Sequence, residues 1–571
     1  MNTQQGHRLP RRTFLVRAGA TSLGLGSAGA TAGALLSAAQ AASQGASGAV
    51  TGRFGWADDG ANFVVDTGAQ LVFKVSKSNG DLVSLVYRGT EYQGYGGRNS
   101  QVETGLGASS VRIGKTPGAI LVTVVHGTMH HYYAARPGEN NVYLWTNKAD
   151  ASITATRYIV RVRPGLFPCD NPDSWDSRTD VLIEAQDVRR KPDGTTRSKH
   201  YSNQRVIDYD HVGWSTGAVG LWMVRSNHEK ASGGPFYRSL MRHHYEDGAG
   251  LYEILYYGEN QTEPMRFGLQ GPYVLAFTDG GAPAATLAHD RIDTGWVDGL
   301  GLVGWVGDKG RGRVAGVGIS GRAPGHAYTV GFANTQAQYW ATADPATGAF
   351  SCVRMLPGSY AVTVYKGELA VHSGSVTVRA GQTTGLHTIA LSGGPSGDPS
   401  STRALWRIGD WDGTPLGFKN AALMTHMHPS DARAAAWTGD FTVGSTPVAS
   451  FPAYQWRDVN DGLQVRFTLT AAQAAQAHVL RIGITTAYAN GRPQIRVNRW
   501  TSPVLPAATE PSTRSLTVGS YRGSNHMFSW TVPANAFTAG VNVLRINVVS
   551  GMSGARFLSP GFAYDCVELL A

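Results

Sequence analysis

Residues 71–75 read Leu71-Val72-Phe73-Lys74-Val75, and the cluster Ser78-Asn79-Gly80-Asp81 follows closely. A short apolar run rich in valine, closed by turn-forming residues, is the pattern of a β-strand entering a reverse turn. The same pattern recurs outward from it, in Phe63-Val64-Val65, Leu121-Val122-Thr123-Val124-Val125 and Tyr158-Ile159-Val160-Arg161-Val162, with Arg136-Pro137-Gly138 as a further turn. No helical period persists across two turns, so residues 50–285 are expected to form an antiparallel β-sandwich. Residues 290–392 hold a smaller set of strands with the length and spacing of an immunoglobulin-like or fibronectin-like module. The stretch Ser392-Gly393-Gly394-Pro395-Ser396-Gly397-Asp398-Pro399-Ser400-Ser401 has the composition of a flexible linker. Residues 404–571 form a third β unit, about the size of a jelly roll. The chain therefore reads as all-β.

Composition agrees with that reading. Of 571 residues, 16% are charged, 42% hydrophobic and 72 are glycine, which excludes a coiled coil and wholesale disorder. Pro10-Arg11-Arg12-Thr13-Phe14-Leu15 has the form of a twin-arginine export signal. A Gly- and Ala-rich run follows and ends in Ala39-Gln40-Ala41, a small-residue cleavage site. Removing residues 1–41 takes away four arginines and no acidic residue, lowering the formal charge from +10 to +6. The expected mature protein is secreted and monomeric, with no membrane span. Its excess charge is too dilute for a nucleic-acid partner. The three cysteines, Cys169, Cys352 and Cys566, are widely separated and odd in number, so no disulfide framework is expected.

Polar and aromatic residues concentrate between 197 and 273. Arg197-Ser198-Lys199-His200 is followed by Ser232-Gly233-Gly234-Pro235-Phe236, by Tyr252-Glu253-Ile254-Leu255-Tyr256-Tyr257-Gly258-Glu259-Asn260-Gln261-Thr262-Glu263, and by Gly271-Pro272-Tyr273. There is no zinc-ligand spacing, phosphate loop or nucleophile elbow. His126 and His130 lack a glutamate-bearing helix, while His243 and His244 are adjacent and would point apart on a strand. No metal and no cofactor are expected. Asp410, Asp412 and Asp431 could ligate calcium or serve as turn and cap residues.

These strings, in this order, resemble the polysaccharide lyase family 4 rhamnogalacturonan lyases of the three-domain form. Gln336-Ala337-Gln338-Tyr339-Trp340 and Pro357-Gly358-Ser359-Tyr360 extend the resemblance into the middle region. Ile408-Gly409-Asp410-Trp411-Asp412-Gly413, Met427-His428-Pro429-Ser430-Asp431, Gly491-Arg492-Pro493-Gln494 and Asp565-Cys566-Val567-Glu568-Leu569 extend it to the end. The resemblance implies a catalytic β-sandwich, a fibronectin III-like middle domain and a C-terminal carbohydrate-binding jelly roll. It also implies cleavage of the rhamnose-α-1,4-galacturonate bond by β-elimination, with pectic rhamnogalacturonan I as partner.

That chemistry explains which residues are wanted. The C5 proton lies α to a carboxylate, so a cation must neutralise the carboxylate and stabilise the developing enolate. A base takes the proton, and an acid or solvent protonates the departing O4. By resemblance the family lysine is Lys199, the arginine facing the uronate is Arg157, and the tyrosine opening the aromatic strand is Tyr252. Arg161, four residues along the strand from Arg157, lies on the same face and is a second candidate for substrate binding or a surface ion pair. The family's second tyrosine falls on Ile254, and its histidine falls on Glu259, with Gly258 and Gln261-Thr262-Glu263 fixing the register.

Three readings of Glu259 stand together. A carboxylate can be the base, with an ordinary pKa of about 4.3 that burial would raise, although it would repel a uronate. His211, His243 or His244, which the sequence leaves to loops, could take over; His200, next to Lys199, would face the other way. The site could also be impaired or retuned to another uronate linkage, leaving a noncatalytic pectin-binding protein at the extreme. A glycosidase built on Glu253 and Glu259 is disfavoured, because six residues along a strand separate them by roughly 20 Å.

Overall fold

The computed structural model describes residues 52–153, 155–169, 175–176, 180–184, 188–198, 204–225, 228–238, 240–245, 248–256, 263–391, 402–423, 428, 430–437, 439–508, 525–552 and 559–571. The expected export signal, the expected 392–401 linker, Lys199, His200 and Glu259 lie outside these residues. Leu71–Ser76 and Leu82–Tyr87 are neighbouring antiparallel strands joined through Ser78-Asn79-Gly80-Asp81. Gly80 adopts φ +76°, and a Cβ there would lie 2.3 Å from Val124 Cγ1, so both the turn and the packing beneath it require glycine. These strands belong to a five-stranded meander that starts at Gly55–Asp58 and ends at Thr90–Glu91.

Two further sheets pack with it, and a small three-stranded one (Val181–Glu184, Val188–Arg190, Thr196–Ser198) also belongs to the first domain. A seven-stranded sheet runs in the order His211–Ser215, Gly220–Val224, Gly268–Thr278, Asn141–Lys148, Met129–Ala135, Ile120–His126 and Ser110–Lys115. A five-stranded sheet runs Trp175–Asp176, Arg242–Tyr245, Gly248–Tyr256, Thr156–Val162 and Gln101–Val102. Val65, Phe73 and Leu85 of the meander, Val122, Leu144 and Leu275 of the second sheet, and Tyr158, Val160 and Leu251 of the third share one buried core. Burial of that apolar surface is what holds the layers face to face. Residues of the 285–305 crossing, with Ile292, Val297 and Leu302 buried, cover the other face of the seven-stranded sheet over Tyr143 and Trp145.

The fibronectin III-like middle domain packs a four-stranded sheet (Gln338–Thr342, Tyr328–Ala333, Gly358–Lys366, Leu369–Val378) against the strands Phe350–Met355, Gly312–Gly316 and Thr383–Leu386. The last domain is a sandwich of two five-stranded sheets centred on Gly561–Leu570 and Gly540–Val549. Cys352 and Cys566 are buried free thiols, and Cys169 is exposed. Among the described residues no helix is long and apolar enough to cross a membrane.

The domains are joined by buried polar contacts. Glu229 accepts hydrogen bonds from Arg311 Nη1 (2.6 Å) and Tyr339 Oη (2.5 Å), and Arg238 pairs with Glu368 at 2.9 Å. Gln338 Oε1 accepts from Gly234 N and Arg266 Nη1, while Arg266 also pairs with Glu263 at 2.8 Å. Thus the Ser232-Gly233-Gly234 turn and Glu263, which read as family strings, form the joint with the middle domain.

Candidate active site

The five-stranded sheet has one face in the core and one turned away from it. Along Thr156–Val162, Tyr158, Val160 and Val162 enter the core, so Arg157, Ile159 and Arg161 take the opposite face. The register sets Arg157 beside Ile254, Ile159 beside Tyr252, and Arg161 beside Gly250, which His243 flanks from the other side. Ile159, Tyr252, Ile254 and Leu240 form a small apolar cluster on that face. Gly250 gives the tyrosine room: a Cβ there would stand 2.8 Å from Tyr252 Oη. The phenol leans over the glycine and reaches His243 Nε2 at 3.3 Å.

These groups differ in access. Arg157 is partly exposed, whereas Arg161 and Tyr252 are buried in the floor beneath it. Arg161 lies against the Tyr95 ring, 5.3 Å from its centroid, a cation–π contact. Arg157 Nε stands 3.4 Å from Glu103 Oε2. Glu103 sits just beyond the strand Gln101–Val102 in a left-handed conformation, φ +55°, with its N–H bonded to Arg157 O. Burial pushes the Glu103 carboxyl above the usual carboxylate range, with Arg157 and Lys148 opposing the shift. Burial pulls the neighbouring Lys148 down to about 8. Asp150 also faces Lys148, so the charges of this corner balance, and Arg157 is its partly exposed cation, placed to meet an anionic substrate group.

The histidines left to loops by the sequence are placed otherwise. His243 and His244 lie within the strand Arg242–Tyr245, held there by pairing with Ala249 and Gly250. They do point apart: His243 meets Tyr252, and His244 packs on Trp214, ring centroids 5.0 Å apart. His211 opens the strand His211–Ser215, with Nδ1 2.5 Å from Asp210 Oδ1. Glu253, the first carboxylate of the glycosidase alternative, is buried on the core face in an ion pair with Arg225 (2.8 Å). It has no route to a sugar.

Lys199 and Glu259 lie outside the described residues, but the segments leading to them do not. Ser198, directly before Lys199, ends the strand Thr196–Ser198, where it is buried beside Val188. Arg197 on that strand is buried and pairs with Asp180 at 2.7 Å. Thr196 is bonded through N and Oγ1 to Asp431 of the last domain, at 2.7 and 2.8 Å. The aspartates weighed for calcium are engaged in turns and this contact: Asp410 accepts from Trp411 N, and Asp412 from Thr414 N and Oγ1. Among the described residues no three His, Cys, Asp or Glu side chains are grouped to hold a metal ion.

Sequence reading missed Glu103, Gly250 and the contact of Asp431 with Thr196. Only Asp431 carried a signal, as the end of a family string. The others are set by pairing between strands distant in sequence.

The chain thus sets a β-sandwich with cations and aromatics on one sheet face ahead of two further β domains, and the family matches make it a polysaccharide lyase. Three family descriptions match in order: "Rhamnogalacturonan lyase B, N-terminal" over residues 54–304, "Polysaccharide lyase family 4, domain II" over 310–386, and "Polysaccharide lyase family 4, domain III" over 404–569. Rhamnogalacturonate lyase A of Emericella nidulans is 37% identical over 521 residues, covering 90% of this chain and 96% of that protein. Rhamnogalacturonate lyase A of Aspergillus aculeatus is 37% identical over 526 residues with the same coverage. The chain belongs to polysaccharide lyase family 4 and carries all three of its domains.

Proposed function

We propose that this protein is a rhamnogalacturonan lyase that cleaves the rhamnose-α-1,4-galacturonate bond of rhamnogalacturonan I by β-elimination. The observation that carries the reading is Arg157, a partly exposed cation beside Glu103, set on the same sheet face as Tyr252 and Arg161. Arg157 pairs with the uronate carboxylate and stabilises the enolate that forms when the C5 proton leaves. Lys199, immediately after the Thr196–Ser198 strand, takes that proton. Glu259, at the position of the family histidine, or solvent protonates the departing O4. Arg161 and Tyr252 act from below, holding the floor on which Arg157 stands. The twin-arginine sequence supports export, and one chain carrying the site and both accessory domains supports a monomer as the working unit, acting within the chain of the polymer.

The test is ultraviolet absorbance of the unsaturated uronate when mature protein meets deacetylated rhamnogalacturonan I, across pH, beside Lys199→Ala. A rise that the variant abolishes supports β-elimination with Lys199 as base. New reducing ends without absorbance would mean a hydrolase. Retained polymer binding with neither signal would mean a binding protein, and a rise only on another uronate polymer would mean a retuned lyase.

A further inference from the structure

The strand Thr196–Ser198 is three residues long and, among the described residues, lies at the edge of a three-stranded sheet, paired to Val188–Arg190. So short an edge strand does not fix its own position. Its free side is met by the last domain. One oxygen of Asp431, Oδ2, accepts from both Thr196 N and Thr196 Oγ1, and the same hydroxyl accepts from His428 N at 3.0 Å. Asp431 thus takes the place of a missing neighbouring strand.

The carboxylate is itself held. Arg433 donates to both its oxygens, Nε to Oδ1 at 2.8 Å and Nη2 to Oδ2 at 2.7 Å. Burial alone would raise the Asp431 pKa, but the bonds from Arg433 and Thr196 outweigh it and hold the carboxyl below its ordinary value. Around this centre Ala432 N donates to Gly194 O (3.0 Å), and Arg190 Nη2 donates to Ser430 Oγ (2.9 Å). Thr196 and Asp431 are both buried, at 3% exposure for each.

We infer that Asp431 is a positioning residue: through Thr196 the last domain sets the strand that presents the catalytic segment, so turnover by the first domain depends on the third. The inference rests on reading Lys199 as the base. Lys199 directly follows Ser198, the last residue of the strand, so a shift of the strand moves the point from which it is held. Misplacement of a reacting group by about 1 Å costs on the order of a hundredfold in rate.

The test uses full-length mature protein and compares Asp431→Ala, Thr196→Val and Thr196→Ser at a temperature well below each melting point. The expected result for Asp431→Ala is a fall in kcat of about tenfold to a hundredfold with KM changed by less than about threefold, because the Arg157 face lies on another sheet. Thr196→Val, which removes one hydroxyl and serves where Asp431→Ala does not fold, should fall in the same direction. Thr196→Ser, which keeps the hydroxyl, should retain turnover. Wild-type kcat in a folded Asp431→Ala or Thr196→Val protein overturns the inference, as does an effect confined to KM. Lys199→Ala separates the premise: if it keeps full activity, the lysine reading fails and the positioning role fails with it. If it is inactive while Asp431→Ala is normal, the positioning role alone is lost.

Discussion

Two arginine–glutamate pairs sit on opposite faces of the same five-stranded sheet. On the core face, Arg225 and Glu253 are 2.8 Å apart and each side chain is only 1% exposed. On the other face, Arg157 and Glu103 are 3.4 Å apart, with side chains 18% and 23% exposed. The residue types are the same, and the difference lies in what else holds them. Arg225 also donates to Tyr252 O and lies over the Tyr209 ring, so its charge is spent inside the protein. Arg157 stands at the edge of contact distance from the Glu103 carboxylate, and its side chain still reaches solvent. A buried pair fixes the sheet, and a half-exposed pair keeps a cation ready for an incoming anion.

Breaking the buried pair should have the largest effect. Glu253→Ala leaves Arg225 uncompensated in the core, which costs about 3–5 kcal/mol in comparable pairs. Urea denaturation of the mature protein should show that loss as a lower midpoint. The Arg225→Met, Glu253→Leu double variant should recover much of it, because no charge is then stranded. A Glu253→Ala protein within about 1 kcal/mol of wild type would mean that water reaches the pair, and the contrast between the two faces would disappear.

Part of this contrast was legible in the sequence. Alternation along 156–162 put Arg157 and Arg161 on one face and Tyr158, Val160 and Val162 on the other, because a strand has a period of two whatever its neighbours. The Ser78-Asn79-Gly80-Asp81 turn was legible for a similarly local reason, since glycine there meets both a positive φ and a neighbouring strand. Glu103 was not legible. Its place beside Arg157 depends on Gln101–Val102 pairing with Ile159 and Tyr158, a contact between segments over fifty residues apart. The Asp431–Thr196 contact spans 235 residues, so the string ending in Asp431 indicated kinship and not a contact. The histidines at 243 and 244 seemed to belong to loops because their strand has little apolar character of its own. Tertiary pairing with Ala249 and Gly250 makes it a strand.

On the exposed face the expected effect is on chemistry and not on folding. Arg157→Ala should lower kcat/KM by about a hundredfold, near 2.7 kcal/mol of transition-state stabilisation, with little change in denaturation midpoint. Arg157→Lys keeps the charge but loses the planar fork, and about a tenfold loss should remain. Steady-state absorbance kinetics on rhamnogalacturonan I separate the two. If lysine is as poor as alanine, geometry dominates; if lysine is as good as arginine, charge alone suffices and the bidentate picture is wrong.

Another buried carboxylate sharpens the comparison with the smallest effect. Asp565 is 2% exposed and accepts N–H bonds from Gly413 (3.0 Å) and Asp412 (3.3 Å), next to a second acid, Asp412 itself. Burial, then the Asp412 charge, push its carboxyl well above the ordinary range, and Lys366 offsets only part of this. Here the folded protein prefers the protonated form, the reverse of Asp431. Stability from Asp565 is therefore greatest below the unfolded carboxylate value, near 3.9, and falls as pH rises from there toward the raised folded value. Asp565→Asn keeps an oxygen to accept both N–H bonds and removes the charge. The variant should match wild type near pH 4 and gain over it as pH rises, by about 1 kcal/mol at neutral pH, readable as a growing difference in urea midpoint. A gain that is constant with pH would place its origin in packing. A loss at neutral pH would mean that Lys366 compensates Asp565 as fully as Arg225 compensates Glu253, and the buried carboxylates of this protein would then follow one rule.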